Sequence, residues 1–91
     1  MYECSLERMD EKIKSFRKFG LNEDGSLTRY ALSEEEGLLR EEIISRLKAI
    51  GAYAETDDMA NMYITLPGKN PRAKRIVMGS HIDSVKNGGH Y

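Results

Sequence analysis

The consecutive apolar residues Ile76, Val77 and Met78 constrain the fold of this chain more than any other feature. An uninterrupted apolar run of this kind, bounded by Arg75 and Gly79, is typical of a β-strand that is covered on both faces. Such a strand needs packed layers on both sides and hydrogen-bonded neighbours on both edges. A chain of 91 residues can hardly supply all of these. We therefore expect either the opening segment of a larger domain or a segment that associates with another chain.

Two amphipathic helices are predicted to precede this strand. The first covers residues 1–20, with Ser5 as the cap of its first turn and Gly20 as its C-terminal cap. The second covers residues 33–50 and begins with a capping box at Ser33–Glu36. Apolar residues recur at spacings of three and four along both: Leu6, Met9, Ile13 and Phe16 in the first, and Leu39, Ile43, Leu47 and Ile50 in the second.

The hydrophobic period changes after the second helix. Residues 52–66 alternate between apolar and polar side chains, which predicts a β-hairpin with strands at Ala52–Asp57 and Asn61–Leu66. Residues 75–91 then contain the buried strand and a loop that follows it. The order of helix, helix, strand, strand and strand predicts an α/β fold in which residues 1–91 form one segment of a single domain.

Composition excludes several classes of function. Fourteen lysines and arginines against fifteen acids leave a net charge of −1, without the basic stripe that nucleic-acid binding requires. The apolar runs are far shorter than the roughly 20 residues that span a bilayer, and the N-terminus lacks the apolar core of a secretory signal. The single cysteine, Cys4, cannot form an internal disulfide. We therefore predict a cytoplasmic protein that binds neither nucleic acid nor membranes.

His81 and Asp83 are the candidate functional residues, because they follow the predicted strand at its carboxyl end. Ligands of open α/β sheets bind at this edge. An acid two positions after a histidine can accept the hydrogen bond from the ring nitrogen that does not face a metal, which orients the ring and raises its basicity. The flexible turn at Asn87–Gly89 can bring a further acid back towards the same ion. The alternative is that His81 is an ordinary loop or capping histidine and that Asp83 is a solvated acid.

The residues around His81 also resemble a known motif. Residues 79–89, GSHIDSVKNGG, are similar to the first metal-site motif of the dinuclear zinc amidohydrolases and peptidases. The branch is that of N-carbamoyl-L-amino acid hydrolase, β-ureidopropionase and allantoate amidohydrolase. Further similarity to this branch lies at Thr28–Glu35, Asp58–Met62 and Leu66–Gly68. The resemblance extends from about residue 21 to residue 91, and Ile82 and Ser84 depart from it by standing where leucine and threonine are common.

This resemblance implies the start of a zinc-peptidase-like three-layer catalytic domain, truncated. In the family, two metal ions polarise an amide or ureido carbonyl and activate a bridging water, whose proton a glutamate transfers to the leaving amine. By resemblance, His81 is a ligand of one metal and Asp83 is the catalytic-site carboxylate that orients it. The cofactor is a divalent metal, zinc by default, although manganese, cobalt or nickel would suit the same ligands. The resemblance identifies no substrate-binding residue in this chain.

The resemblance also implies that the site is incomplete. The family's bridging aspartate would come immediately after Tyr91, and its general base, remaining ligands and lid domain would lie further on. We therefore expect a chain that is inactive alone, whose intact relatives cleave linear amide or ureido C–N bonds in small molecules, and whose partner is a complementing downstream polypeptide. Two alternatives stay open. One is a non-catalytic module that self-associates, and the other is a small metal-binding protein that uses His81, Asp83 and His90, although the family counterpart of His90 is variable.

Overall fold

The computed structural model describes residues 3–89, which form two helices and one two-stranded antiparallel sheet. The elements are α1 (Leu6–Arg17), α2 (Glu34–Lys48), β1 (Tyr53–Thr56) and β2 (Met62–Thr65). Two compact units are present: the first contains the chain up to Leu39 together with the segment from Ile82 onward, and the second is Arg40–His81. The helices and the hairpin agree with the predicted α/β order. None of the helices within residues 3–89 has the length and apolar character needed to cross a lipid bilayer.

Helix α1 lies within the predicted range of 1–20 and is shorter at both ends. Ser5 caps it as expected, since its Oγ accepts a hydrogen bond from the Arg8 N–H at 3.3 Å. After the helix, Gly20 adopts the left-handed φ of 106° that a glycine tolerates best. The apolar stripe of α1 is not buried: Leu6 is 86% exposed and Met9 is 50% exposed. The helical pattern therefore predicted the element correctly, but only the second half of its apolar stripe, Ile13 and Phe16, is half-buried.

Helix α2 begins with a variant of the predicted capping box. The Glu36 N–H donates to Ser33 Oγ at 3.2 Å, as expected, but Glu36 Oε2 accepts from the Leu32 N–H at 2.6 Å. The Ser33 N–H instead donates to the Tyr30 carbonyl oxygen at 3.1 Å. The reciprocal bond has thus moved one residue towards the N-terminus, and Leu32 adopts a left-handed φ of 63° there. This arrangement leaves the Glu36 carboxylate buried but hydrogen-bonded.

The hairpin of β1 and β2 is closed by an aspartate. The four strand pairs are in antiparallel register, from Tyr53 opposite Thr65 to Thr56 opposite Met62. The Asp57 carboxylate accepts hydrogen bonds from the backbone N–H groups of Met59 and Asn61, both at 2.9 Å. It also accepts from the Asn61 side-chain amide at 3.0 Å and the Tyr63 hydroxyl at 3.2 Å. These four bonds explain how the chain turns here without the usual asparagine–glycine or aspartate–glycine pair.

The prediction of a buried strand at residues 75–79 is wrong for this structure. These residues belong to no strand, and the sheet of the described chain consists of β1 and β2 alone. Ile76, Val77 and Met78 are 91%, 86% and 88% exposed. A strand is stabilised by ladder hydrogen bonds and by packing against its faces. Residues 3–89 provide neither a neighbouring strand nor a covering layer for this run, so its apolar character alone does not fold it.

The interior of the first unit is small and partly charged. Leu27 and Leu39 are its buried apolar residues, while Arg29 and Glu36 are buried as well, with exposed fractions of 8% and 3%. Ala52 is the buried apolar residue described in the second unit. Because apolar burial is limited, hydrogen bonds to the two buried charges must contribute much of the order of the first unit.

Gly20→Ala is expected to lower the free energy of unfolding by roughly 2–4 kcal/mol, because the new Cβ would overlap the Thr28 carbonyl oxygen. The matched control is Gly25→Ala. Gly25 also has a left-handed φ of 86°, but its Cβ would meet no atom within 4 Å. The control therefore carries only the backbone cost of about 1 kcal/mol. Urea unfolding followed by circular dichroism measures both variants, and equal losses would contradict the overlap.

Acid is expected to disorder the hairpin turn. The side-chain and backbone N–H groups of Asn61 hold the pKa of Asp57 below its ordinary value, and Met59 and Tyr63 add to this effect. Because the folded pKa is the lower one, the stabilisation is present above the unfolded pKa of about 3.9 and is lost as the pH falls through the folded pKa. NMR shifts of the hairpin amides between about pH 2 and pH 7 measure the transition.

Two asparagine variants control this pH experiment. Asp57→Asn is expected to remove the acid transition from the hairpin, because the titrating carboxylate is gone. Asp58→Asn removes the adjacent carboxylate, leaves the Asp57 hydrogen bonds in place, and is expected to keep the transition. A hairpin whose amide shifts stay constant across the whole pH range would disprove the role of Asp57.

Candidate functional site

The two residues predicted for the metal site lie in different environments. His81 is exposed and is the last residue of the second unit, whereas Asp83 is half-buried and belongs to the first unit. The residue between them, Ile82, is half-buried, and it is the first residue of the later of the two chain segments that make up the first unit. We call residues 82–88 the motif loop. Its geometry is set by contacts with the segment that precedes α2.

The motif loop pairs with residues 27–29 through backbone hydrogen bonds. Leu27 and Gly88 exchange two bonds, with N···O distances of 2.9 Å and 2.7 Å. The Ser84 N–H donates to the Arg29 carbonyl oxygen at 2.7 Å, and the Arg29 N–H donates back to Ser84 Oγ at 2.9 Å. Segments that lie more than 50 residues apart in sequence are therefore joined at both ends of the loop.

The turn at Asn87 and Gly88 completes this pairing. The Asn87 N–H donates to Thr28 Oγ1 at 2.9 Å, and the Asn22 side-chain amide donates to Thr28 Oγ1 at 2.8 Å and to Asn87 Oδ1 at 3.2 Å. Asn87 has a left-handed φ of 52°, which asparagine tolerates better than most residues. A Cβ on Gly88 would lie 3.3 Å from the Leu27 carbonyl oxygen. The predicted flexible Asn–Gly–Gly turn is thus held in place at its first two residues.

The buried guanidinium of Arg29 lies behind the motif loop. Its Nε donates to the Ile82 carbonyl oxygen at 2.8 Å, and its Nη1 donates to the Phe16 and Phe19 carbonyl oxygens, both at 2.9 Å. Burial lowers the pKa of the Arg29 guanidinium, while the negative charges of Asp83 and Glu36 oppose that shift. Arg29 therefore binds a carbonyl near the end of α1, a carbonyl just after that helix and the motif loop at the same time, with two acids nearby.

The described residues do not form a complete metal site. Within residues 3–89, no three histidine, cysteine, aspartate or glutamate side chains lie where together they could hold a metal ion. Of the candidate donors, Asp57 closes the hairpin turn and Glu36 binds the Leu32 N–H. His90 lies outside the described residues. Since a catalytic zinc needs about three protein ligands, His81 and Asp83 do not suffice for one.

Comparison with curated proteins identifies relatives over most or all of this chain. The chain is 30% identical over 91 residues, its whole length, to an N-carbamoyl-L-amino-acid amidohydrolase of Paenarthrobacter aurescens. It is 30% identical over 92% of its length to the allantoate amidohydrolase of Escherichia coli K12, and 32% identical over 87% to that of Bacillus subtilis 168. The chain is a homologue of these amidohydrolases. The predicted family is therefore confirmed.

The homology covers only part of each relative. The chain spans 22% of the Paenarthrobacter protein, 20% of the E. coli protein and 19% of the B. subtilis protein. No protein-family model matches the chain, and no solved structure matches it. This amidohydrolase homologue is thus related along most or all of its length to about a fifth of much longer proteins.

Arg29 and Ser84 are the site residues whose positions the sequence reasoning missed. In the sequence, Arg29 stood out only as part of the segment Thr28–Glu35 that resembles the family. Ser84 stood out only as a residue that departs from the family motif. A signal for Arg29 was present, since Leu27, Arg29 and Ala31 alternate and so fall on one face of an extended segment. An arginine on the same face as a buried leucine indicates a buried and hydrogen-bonded charge. Nothing in the sequence indicated that its acceptors would be the Phe16, Phe19 and Ile82 carbonyls.

Ser84→Ala is expected to destabilise the first unit by about 1–3 kcal/mol, because it leaves the Arg29 N–H without the Ser84 Oγ acceptor. Ser80→Ala is the matched control at an exposed position and is expected to change stability by less than about 0.5 kcal/mol. Chemical denaturation gives both values, and amide exchange of Gly88 reports whether the loop has loosened. A Ser84→Ala chain as stable as the control would show that the hydroxyl does not hold the loop.

Proposed function

We propose that this chain supplies one part of the catalytic domain of a metal-dependent amidohydrolase that cleaves linear amide or ureido C–N bonds. The observation that carries this proposal is homology over most or all of the chain to proteins named as amidohydrolases of N-carbamoyl-L-amino acids and of allantoate. Their substrates are small molecules with a ureido group, and we propose substrates of the same class here. The ordered motif loop supports the proposal, since it holds the backbone of the predicted site residue Asp83 in a defined position.

Within that function we propose His81 as a ligand of one divalent metal ion and Asp83 as the carboxylate that orients it. The exposure of His81 supports this role, because an ion and its other ligands can reach an exposed ring. Zinc suits a histidine and carboxylate set, and manganese, cobalt or nickel would suit it too. The half-buried position of Asp83 close to Arg29 supports an orienting role, since its surroundings restrict its direction.

The remaining ligands must come from residues outside 3–89 or from another polypeptide, because the described residues contain no complete ligand set. We therefore propose that residues 3–89 give no hydrolytic turnover without that complement. The exposed run at Ile76–Met78 supports this view, because a complementing polypeptide would bury it and provide the missing strand neighbours. The cytoplasm stays our prediction for the location.

A self-associating, non-catalytic module is the second candidate. The observation that favours it is the same exposed apolar run, together with the exposed stripe of α1 at Leu6 and Met9. Large exposed apolar patches mark interaction surfaces or cause aggregation. Sedimentation at several concentrations distinguishes the candidates: a defined dimer that Val77→Lys dissociates supports the module, whereas a monomer that binds a complementing polypeptide supports the enzyme.

The purified, metal-loaded chain is expected to show no hydrolysis of N-carbamoyl amino acids or allantoate. Adding a polypeptide that carries the remaining family ligands is expected to produce activity, because the metal site is then complete. His81→Ala should abolish that activity, whereas His90→Ala, the matched change at the other histidine, should retain it. Product formation is measured as ammonia or free amino acid. Strong activity of the chain alone that His81→Ala abolishes would overturn the proposed need for a complement.

A further inference from the structure

Arg29 holds both residues that flank Asp83. On one side, its side-chain Nε donates to the carbonyl oxygen of Ile82 at 2.8 Å. On the other side, its backbone carbonyl oxygen accepts from the Ser84 N–H at 2.7 Å, and its N–H donates to Ser84 Oγ at 2.9 Å. The peptide groups before and after Asp83 are therefore both held by a single residue, which fixes the backbone from which the Asp83 side chain projects.

The positive charge of the Arg29 guanidinium also acts on Asp83. The guanidinium is buried, and burial of a cation is unfavourable unless negative charge and acceptors lie close to it. Asp83 and Glu36 supply the negative charge, while the Ile82, Phe16 and Phe19 carbonyls supply the acceptors. A carboxylate that turned away from the guanidinium would lose this attraction, so the charge of Arg29 also restrains Asp83.

We propose that Arg29 is a positioning residue of the amidohydrolase site, which fixes the direction of the Asp83 carboxylate through Ile82, through Ser84 and through its own charge. The inference rests on the proposed function, because the direction of the Asp83 carboxylate affects a metal ligand only if His81 binds a metal ion. Arg29 also binds the carbonyl of Phe16 in α1 and that of Phe19 just after the helix, so the motif loop is tied to the end of α1 and the residues that follow it.

Lysine cannot replace this arginine. The guanidinium donates in three directions at once from a rigid plane, to Ile82, Phe16 and Phe19. A lysine retains the charge but presents a flexible point donor, which cannot meet the helix end and the loop together. Arg29→Lys therefore separates the effect of charge from the effect of geometry, and Arg29→Met removes both while keeping an apolar stem.

NMR of the whole chain tests the proposal. In the unaltered chain, we expect a through-hydrogen-bond coupling between Arg29 Nε and the Ile82 carbonyl carbon, and a single side-chain rotamer for Asp83. In Arg29→Lys and Arg29→Met, we expect Asp83 to average over rotamers and the Ser84 amide to exchange at least about tenfold faster. The matched control is Arg40→Met, which removes an arginine that binds the Ala60 carbonyl oxygen in the second unit and should leave Asp83 unchanged.

The rotamer of Asp83 distinguishes positioning from a merely structural role. A folded Arg29→Lys chain, with unchanged helix signals and an Asp83 that still holds one rotamer, overturns the proposal. An Asp83 that already averages in the unaltered chain, or an absent coupling to Ile82, overturns it as well. These last two measurements need no variant, so they decide the matter even where Arg29→Met fails to fold.

Zinc titration of the same samples separates this inference from the proposed function. Asp83 order that depends on Arg29, with no response of the His81 ring signals to zinc, supports the positioning role and counts against the metal site. If zinc shifts the His81 ring signals but the Asp83 rotamer does not change when Arg29 is replaced, the positioning role is overturned and the proposed metal site stands. The two proposals therefore fail by different observations.

Discussion

A guanidinium group that is removed from water needs hydrogen-bond acceptors and negative charge inside the protein, and Arg29 has both. Its acceptors come from the end of α1 and from the motif loop, and its nearby acids come from the start of α2 and again from the loop. Three parts of the chain that are distant in sequence therefore meet at one buried charge. Apolar burial in the first unit is slight, so these hydrogen bonds contribute to its order.

The distribution of apolar residues explains why a polar contact has this importance. Leu27, Leu39 and Ala52 are the buried apolar residues among those described, whereas Leu6 and Met9 of α1 and residues 76–78 are exposed. Free energy from apolar burial grows with the area removed from water, and little area is removed here. The relatives are roughly five times longer than the aligned region, so the same residues belong in them to a much larger chain. Under the function proposed above, the exposed run at residues 76–78 is the surface that a complementing polypeptide would cover.

In the candidate site, the motif loop is ordered, whereas the set of possible metal ligands is incomplete among residues 3–89. Backbone pairing with residues 27–29 and the Asn22–Thr28–Asn87 contacts order the motif loop in the described chain. The ligand set is incomplete there, since His81 and Asp83 find no third donor among residues 3–89. The order of the motif loop therefore depends on contacts within the described chain, and these contacts can be studied by themselves.

The sequence by itself determined the local elements and the family. Helical spacing with the Ser5 and Ser33 caps and the alternation through residues 52–66 are local signals, and hydrogen bonds between residues close in sequence are enough to realise these elements. Only the tertiary structure showed that residues 75–79 form no strand. It also showed that Arg29 is buried and donates a hydrogen bond to the Ile82 carbonyl oxygen. The physical reason is that a strand needs neighbours and a buried charge needs acceptors, and which distant residues provide them is settled only when the chain has folded.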